Sequence, residues 1–199
     1  MSTLPIVTIS RQSGSQGREA GRLLADQLGV PYYDYEILSR AARESGLSPS
    51  LFEQAETSAA ELLDRLEQGL PAQNTPINVA LFQAQSKIIR KMAAEGPCVI
   101  VGRCADTVLR EFPNVVNVYI YASEAKRIEN TARKKRVNSK MAALFIRQID
   151  HSRSAYHSFF SHHAWGDMSA YDLCVCTDKL TPEETATVIK SYLFAKSGE

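Results

Sequence analysis

No apolar run in this sequence approaches the length needed to cross a membrane, and no basic segment followed by an apolar stretch stands at its N-terminus. Charge of one sign is not in excess either, because 23 lysine and arginine residues face 22 aspartate and glutamate residues, for a net charge of +1. This balance gives no general attraction to nucleic acid or to acidic surfaces. We therefore expect a cytoplasmic protein with neither a membrane nor a nucleic-acid partner.

Cysteine is also scarce, with four residues in the sequence: Cys98, Cys104, Cys174 and Cys176. All of them lie in or beside apolar, β-like segments. This placement predicts reduced, buried thiols in a cytoplasmic protein rather than a disulfide framework. Cys174 and Cys176 would share one face of a strand, but a metal site there would need further ligands nearby.

The sequence does contain a regular alternation of short apolar segments and helical patterns. Its 199 residues, 44% of them hydrophobic, have the size of a single domain, which we assign to residues 1–199. Near-continuous apolar runs are typical of strands buried on both faces of a parallel sheet, and helices between them predict a doubly wound, three-layer α/β/α fold. The five expected strands are 5–10, 30–33, 98–102, 115–121 and 172–177.

Helix boundaries are marked by residues with known end preferences. Gly29 and Gly46 suit the left-handed position that follows a helix, and residues 181–184 form a capping box before the last helix. Ser48 and Pro49 predict the start of an amphipathic helix over 51–66, and a polar break over 71–78 precedes a long helix that runs from Val79 to residue 95. The two helices between the second and third strands form a helical insertion over 48–94, large enough to cover a substrate.

The first strand runs directly into a loop rich in serine and glycine, and that loop runs into a helix. This order is typical of a phosphate-binding loop, because small residues let backbone N–H groups approach an anion and the helix N-terminus points at the same place. An ordinary turn that caps a helix is the alternative. The residues expected to hold a nucleotide phosphate are Ser13, Gly14, Ser15, Gln16, Gly17, Arg18 and Glu19.

The loop departs from the usual G-x-x-x-x-G-K-[ST] pattern at three positions. Gln12 stands at the first glycine and Arg18 at the lysine. Glu19 stands where a hydroxyl binds magnesium, so it is the candidate metal ligand. Arg18 still supplies a fixed cation for phosphate oxygens, and its fork geometry is bidentate.

Charged residues also follow the second and third expected strands. In open α/β sheets, ligands bind beyond the carboxyl ends of the strands. We therefore assign Asp34 and Arg40, together with Arg103 and Asp106, to the binding of the second substrate. The alternative for Arg103 and Asp106 is an ion pair at the start of a helix.

A basic segment over 126–136 follows the fourth strand. We interpret residues 123–165 as a lid and its following helix, with Arg127, Arg133 and Arg136 closing over phosphates in transfer and stabilising their charge. A solvated basic helix, or weak nucleic-acid contact, is the alternative. Further along, Asp150 and Arg153 lie one helical turn apart. We interpret them either as part of the site for the second substrate or as a simple ion pair on the helix surface.

An aromatic and imidazole cluster stands close to Asp167 in the sequence. Its members are His157, His162, His163 and Trp165. Two interpretations remain open for this cluster, namely a metal site and a packing or docking surface.

Taken together, these blocks resemble the cytidylate kinase-like family, a branch of the P-loop nucleoside monophosphate kinases. The resemblance extends over nearly the whole chain, and the blocks occur in the expected order. They are 9–11 with 14–19, then 31–34, 99–106, 153–167 and 171–173.

The resemblance implies a P-loop fold and transfer of the terminal phosphate of ATP, with Mg²⁺, to a nucleoside monophosphate, expected to be CMP or dCMP. It makes 13–19 the ATP phosphate loop, Arg103 the arginine that holds the monophosphate, and Asp150 with Arg153 an acceptor pair. Cys104 stands where the family has the aspartate of its Gly-Arg-Asp block, and Ile146 stands where it has a further arginine. These departures leave two other hypotheses: a non-catalytic nucleotide-binding regulator, possible as a homodimer, and a kinase of another small molecule.

Overall fold

A computed structural model of the chain describes residues 4–46, 48, 50–51, 75–161 and 163–197. Within these ranges, none of the helices combines the length and the apolar character that a membrane span requires. The strands are β1 (Ile6–Arg11), β2 (Tyr32–Tyr33), β3 (Val99–Val101), β4 (Val115–Tyr121) and β5 (Leu173–Cys176). The helices are α1 (Gly17–Leu28), α2 (Tyr35–Ser45), α3 (Thr75–Ala94), α4 (Ala105–Val108), α5 (Glu124–Lys135), α6 (Ser139–Phe160) and α7 (Pro182–Ser197), with a 3₁₀ turn at Met168–Ala170.

The five strands form one parallel sheet in the order β2-β3-β1-β4-β5. Strand β1 lies at its centre, where Val7 is in register with Val99 on one side and with Val116 on the other. The expected parallel sheet is thus confirmed, and β4 has the predicted bounds. The connection that leaves β1 runs to β2, and the connection that leaves its neighbour β3 runs to β4 on the other side of β1. The loops after β1 and β3 therefore lie at a switch point, where α/β sheets bind ligands.

The hydrophobic core is split into two layers by the sheet, which gives the three-layer α/β/α arrangement. One layer packs Ile37, Ile88, Ile89 and Leu109 against Ile100. The other layer brings α1 and α7 against β1, β3, β4 and β5, through residues that include Leu24 and Ile189. Because β1 and β3 are covered on both faces, their residues are apolar at consecutive positions rather than at alternate ones.

Helix ends follow the predicted signals. Gly29 and Gly46 take left-handed conformations, with φ of 67° and 71°. At the start of α7, the backbone N–H of Thr181 donates to Glu184 Oε2 at 2.8 Å, and the backbone N–H of Glu184 donates to Thr181 Oγ1 at 3.2 Å. The capping box is therefore formed in full.

Two sequence predictions are wrong. Helix α3 begins at Thr75, inside the polar break expected over 71–78 and four residues before Val79. The Thr75–Pro76 pair explains the early start, since proline is favoured in the first helical turn. Cys98 and Cys104 are buried as expected, but Cys174 is half-buried and Cys176 is exposed, because β5 is an edge strand; none of the four cysteines is in a disulfide. The amphipathic helix expected over 51–66 lies, apart from Leu51, outside the described residues.

Candidate phosphate-binding loop and acceptor site

The loop between β1 and α1 has the backbone geometry of an anion cradle. Gly14 and Gln16 both have positive φ, of 82° and 61°. Gln16 precedes the first turn of α1, and its side chain does not cap the N–H groups of that turn. Ser15 is fully buried: its hydroxyl donates to Gln12 O at 2.8 Å, and its carbonyl accepts from Thr177 Oγ1 at 3.0 Å. Backbone N–H groups of α1 thus remain available to an anion, as phosphate binding at a helix N-terminus requires.

Helix α5 packs directly against this loop. A Cβ on Gly14 would lie 2.5 Å from the carbonyl oxygen of Arg127, so no larger residue fits there. Asn130, buried on α5, donates through Nδ2 to the carbonyl of Gly14 at 2.9 Å. The first two turns of α5, which belong to the segment interpreted as a lid, therefore contact the phosphate-binding loop.

Asp150 of α6 also contacts the loop. Its Oδ1 accepts from the backbone N–H of Ser13 at 2.7 Å, and its Oδ2 accepts from Arg127 at 2.5 Å. The guanidinium of Arg153 lies 3.7 Å from the same carboxylate. Burial raises the pKa of Asp150, although the Ser13 amide and both arginines act in the opposite direction. The Asp150 carboxylate thus binds a backbone N–H of the loop and the side chain of Arg127. Both are groups of the type that bind phosphate oxygens in other proteins.

Arg18 and Glu19, at the start of α1, are each paired with an opposite charge. Arg18 Nε lies 2.6 Å from Asp34 Oδ2, and the other oxygen of that buried carboxylate has no hydrogen-bond partner. Glu19 pairs with Lys134 of α5. Partial burial is the largest influence on Glu19 and raises its pKa, but Lys134, the backbone N–H of Glu19 and Arg18 together outweigh burial, so the net shift of the pKa is downward.

Beside the loop, three arginines border a cavity of about 20 Å³ at the carboxyl ends of β1 and β3. Arg153 joins the cavity to the loop, since its guanidinium donates to the Arg11 carbonyl at 3.1 Å. A Cβ on Gly102 would displace the guanidinium of Arg11, and the φ of 75° at this position favours glycine after β3. The full lining is Ser10, Arg11, Gly102, Arg103, Cys104, Arg153, Tyr156, His157 and Trp165. Such a concentration of guanidinium groups favours an anionic ligand.

The turn after β3 holds Arg103 in an uncommon conformation. Arg103 and Cys104 have φ of 63° and 51°, which only glycine adopts freely. Gln85 of α3 donates to the Arg103 carbonyl at 3.1 Å and lies 3.4 Å from the Tyr156 hydroxyl. Strained turns of this kind occur at ligand sites, where surrounding contacts hold them.

The structure separates several residues that the sequence placed in one site. Arg40 lies over the ring of Tyr33, 5.7 Å from its centroid, and borders a different pocket of about 430 Å³ on α2 and α3. Arg133 is exposed and donates to Asn130, and Arg136 is the exposed left-handed residue that ends α5. In this conformation neither of them borders the arginine cavity.

The aspartate beside the histidine cluster is Asp106, and Asp167 has a different contact. His157 Nε2 lies 2.8 Å from Asp106 Oδ2, and His163 Nε2 lies 3.5 Å from the same oxygen. Asp167 instead caps the 3₁₀ turn, where it accepts from Ser169. Trp165 packs edge-on against Tyr119, and His162 lies outside the described residues.

Sequence reasoning did not assign Arg11, Asn130 or His157 to the binding of a substrate. Arg11 had a usable signal, since it is a charged residue at the carboxyl end of the central strand. Asn130 lies on a helix whose sequence shows nothing unusual at that position, and His157 was marked in the sequence only as a member of the histidine cluster. Their roles depend on how α5 and α6 pack.

With this geometry established, comparison with known proteins decides the family. A sequence model of the cytidylate kinase-like family matches residues 6–179. The chain belongs to the cytidylate kinase-like family. No curated protein matches it.

Solved structures show the same fold in other proteins. An uncharacterized protein from Eubacterium ventriosum ATCC 27560 is 24% identical, with a TM-score of 0.73 over 95% of this chain and 98% of that one. Shikimate kinase from Acinetobacter baumannii, solved in complex with shikimate, is 14% identical, with a TM-score of 0.55 over 98% of this chain and 95% of that one. Shikimate kinase from Bacteroides thetaiotaomicron is 12% identical, with a TM-score of 0.55 over 96% and 98%. The fold is therefore that of the P-loop kinases.

Proposed function

We propose that this protein transfers the terminal phosphate of ATP to a small anionic acceptor, with CMP or dCMP as the expected acceptor. One observation carries the proposal: the cavity lined by Arg11, Arg103 and Arg153 adjoins the phosphate-binding loop. Phosphoryl transfer needs the donor phosphates and the acceptor held in line, with cations around the charge that moves between them. This fold brings an anion cradle and an arginine cluster to the same edge of the sheet.

The phosphate-binding loop, together with helices α5 and α6 that contact it, would bind ATP, the phosphate donor. Backbone N–H groups at 13–19 and the guanidinium of Arg18 would hold the phosphates, with Arg127 completing the loop. Arg133 and Arg136 are exposed at the end of α5 and would reach the phosphates only after a movement of that helix end. The protein's contribution is positioning and charge neutralisation, so no covalent intermediate is required.

Two carboxylates near the loop fit a magnesium ion, which prefers oxygen ligands. Asp34 fits better, because one of its buried oxygens has no hydrogen-bond partner while the other contacts Arg18. Glu19 would first have to leave Lys134. When bound with ATP, Mg²⁺ would neutralise phosphate charge and orient the phosphate oxygens.

The acceptor would bind through its anionic group to the arginine cavity. A volume of about 20 Å³ holds about one water molecule, so the cavity must widen to admit a phosphate. Arg40 would contribute only if the acceptor extends to the pocket on α2 and α3. The four cysteines form no disulfide, which supports a reducing compartment, and we infer a cytoplasmic location from this.

The deciding experiment measures ADP formation from ATP and Mg²⁺ over a panel of acceptors with a no-acceptor control. The panel contains the nucleoside monophosphates and a set of small hydroxy acids and sugars. We expect acceptor-dependent ADP with CMP or dCMP. ADP formation with a hydroxy acid or a sugar, and with none of the nucleotides, would keep the phosphotransferase and replace the acceptor.

A non-catalytic nucleotide-binding regulator is the second candidate. The observation that favours it is the engagement of the loop by the chain itself, through Asp150 at the Ser13 amide and Lys134 at Glu19. This candidate predicts that ATP binds, as measured by calorimetry, while no acceptor in the panel yields ADP above the control.

A further inference from the structure

A cluster of one aspartate and two histidines, largely buried, adjoins the arginine cavity, which His157 also lines. Asp106 comes from the first turn of α4, His157 from the last turn of α6, and His163 from the segment that follows α6. One side-chain ligand atom from each residue lies within 4.8 Å of the other two. The side chains of Asp106 and His157 are 3% exposed, and that of His163 is 32% exposed.

A short hydrogen-bond chain fixes the tautomer of His157. The Ser161 hydroxyl donates to the carbonyl of His163 at 2.7 Å, and a carbonyl can only accept. The same hydroxyl lies 2.9 Å from His157 Nδ1, and its single proton is already used. His157 Nδ1 must therefore carry a proton and donate it to Ser161.

This assignment leaves the lone pair of a neutral His157 Nε2 facing Asp106 Oδ2 at 2.8 Å. Two lone pairs at that distance repel unless a cation lies between them. A proton would satisfy this one contact. It would leave Asp106 Oδ1 and His163 Nε2, which are both buried atoms without a hydrogen-bond partner. A metal ion would engage all three residues at once.

We propose that Asp106, His157 and His163 bind a divalent transition-metal ion of the Zn²⁺ type. Two imidazoles and a carboxylate are a common donor set for such ions. Ligand atoms on a tetrahedral Zn²⁺ lie about 3.3 Å apart at ordinary bond lengths. The two distances from Asp106 Oδ2, 2.8 Å and 3.5 Å, lie on either side of that value.

The rest of the site has the features of a metal centre. Ser161 orients His157 from its other nitrogen, as outer-sphere partners of metal-bound histidines do. The partial exposure of His163 provides a route of entry, and three protein ligands leave a further position for water or an anion. The ion would tie the end of α6 to the turn that carries Arg103. The site is separate from the Mg²⁺ of the proposed kinase reaction and does not depend on that activity.

The test titrates the full chain, stripped of metal with EDTA and dialysed, with Zn²⁺ in a calorimeter and with Co²⁺ in a spectrophotometer. We expect one equivalent of Zn²⁺ and visible Co²⁺ bands without a thiolate charge-transfer band. Asp106→Asn and His163→Ala should each weaken Zn²⁺ binding at least tenfold. His151→Ala, on the exposed face of α6, is the matched control and should bind as the parent does.

Three outcomes would overturn the proposal. They are no stoichiometric binding, equal binding by the parent and both ligand variants, and a thiolate band that assigns the ion to cysteine. Because His163 is partly exposed, His163→Ala should fold even if Asp106→Asn does not, and circular dichroism melts check this. A buried imidazolium–carboxylate pair would give the first of these outcomes.

Discussion

The carboxylate of Asp150 accepts a 2.7 Å hydrogen bond from the backbone N–H of Ser13, although the two residues are 137 positions apart. The contact joins the middle of α6 to the phosphate-binding loop. Because Asp150 also pairs with Arg127, one negative side chain holds two groups that would otherwise face a nucleotide phosphate. Under the proposed function, nucleotide binding would therefore be linked to the packing of α5 and α6.

Asp150→Asn should tighten the binding of ATP. The amide oxygen of asparagine can still accept from Ser13, but it no longer repels phosphate and it releases Arg127 from an ion pair. One unit charge about 4 Å away in a water-like medium contributes about 1 kcal/mol, so the Kd should fall about fivefold. Calorimetry with ATP measures this. Asp172→Asn is the control, because Asp172 also accepts from a backbone amide, that of Asn117, at the other edge of the sheet. An unchanged or higher Kd for Asp150→Asn would contradict the prediction.

The same carboxylate predicts a pH dependence of stability. Burial raises the pKa of Asp150 above its usual 3.8, so the folded state binds its proton more tightly than the unfolded state does. Its contribution to stability is therefore most favourable below about pH 4 and declines as the pH rises through the raised pKa. Urea unfolding from pH 4 to pH 7 should show this decline in the parent relative to Asp150→Asn. Parallel pH profiles for the two proteins would exclude it.

Gly14→Ala should destabilise the protein more than Gly29→Ala. Both glycines have positive φ, of 82° and 67°, so alanine is strained by about 1–2 kcal/mol at either position. A Cβ on Gly29 meets nothing within 4 Å, whereas one on Gly14 would meet the backbone of Arg127. Overpacking adds about 1–3 kcal/mol at Gly14. Urea unfolding of the two variants gives the difference, and equal losses would show that α5 yields to the added methyl group.

Arg103→Ala should raise the KM for the acceptor about tenfold to a hundredfold with a smaller change in the KM for ATP. Arg103 lines the cavity, and a hydrogen bond to a charged group contributes about 1.5–3 kcal/mol. Arg110→Ala is the matched control, since Arg110 is exposed and pairs with Glu111. Steady-state kinetics with the acceptor found in the panel would decide. If Arg103→Ala behaved as Arg110→Ala does, Arg103 would have no part in acceptor binding.

Thr181→Ala should lower the free energy of unfolding by about 1 kcal/mol, because it removes the cap of α7. Thr187→Ala, in the middle of the same helix and exposed, should have little effect on the free energy of unfolding.

The backbone amide and hydroxyl of Thr181 lower the pKa of Glu184. The contribution of Glu184 is thus present above its unfolded value of 4.5 and lost as the pH falls through the lower, folded value. Urea unfolding of Glu184→Gln should show a loss at pH 7 that is absent at pH 3.

Local signals accounted for most of the fold. The apolar runs located all five strands, since strands buried on both faces carry that pattern, and Gly29, Gly46 and Thr181 marked helix ends through their own backbone preferences. The start of α3 was misplaced because a polar first turn resembles a loop. Edge position, which local sequence does not encode, left Cys176 exposed.

The candidate site was predicted only in part. The sequence indicated the phosphate-binding loop and Arg103, because both come directly after strands whose ends meet at one edge of the sheet. It did not indicate that Asp150 contacts Ser13 or that Asp106 contacts His157 rather than standing free near the acceptor. These pairs join residues 137 and 51 positions apart.

By itself, then, the sequence determined the order of strands and helices, the position of the glycine-rich loop and the family, since each depends on residues that are neighbours along the chain. Only the tertiary structure decided which charges meet. The packing of α5 and α6 over the loop places Arg127 and Asp150 at the Ser13 and Gly14 backbone. Contacts of this kind depend on the orientation of each helix about its axis. Moving a residue by one position along the helix turns its side chain by about 100° around that axis, so the contact is lost.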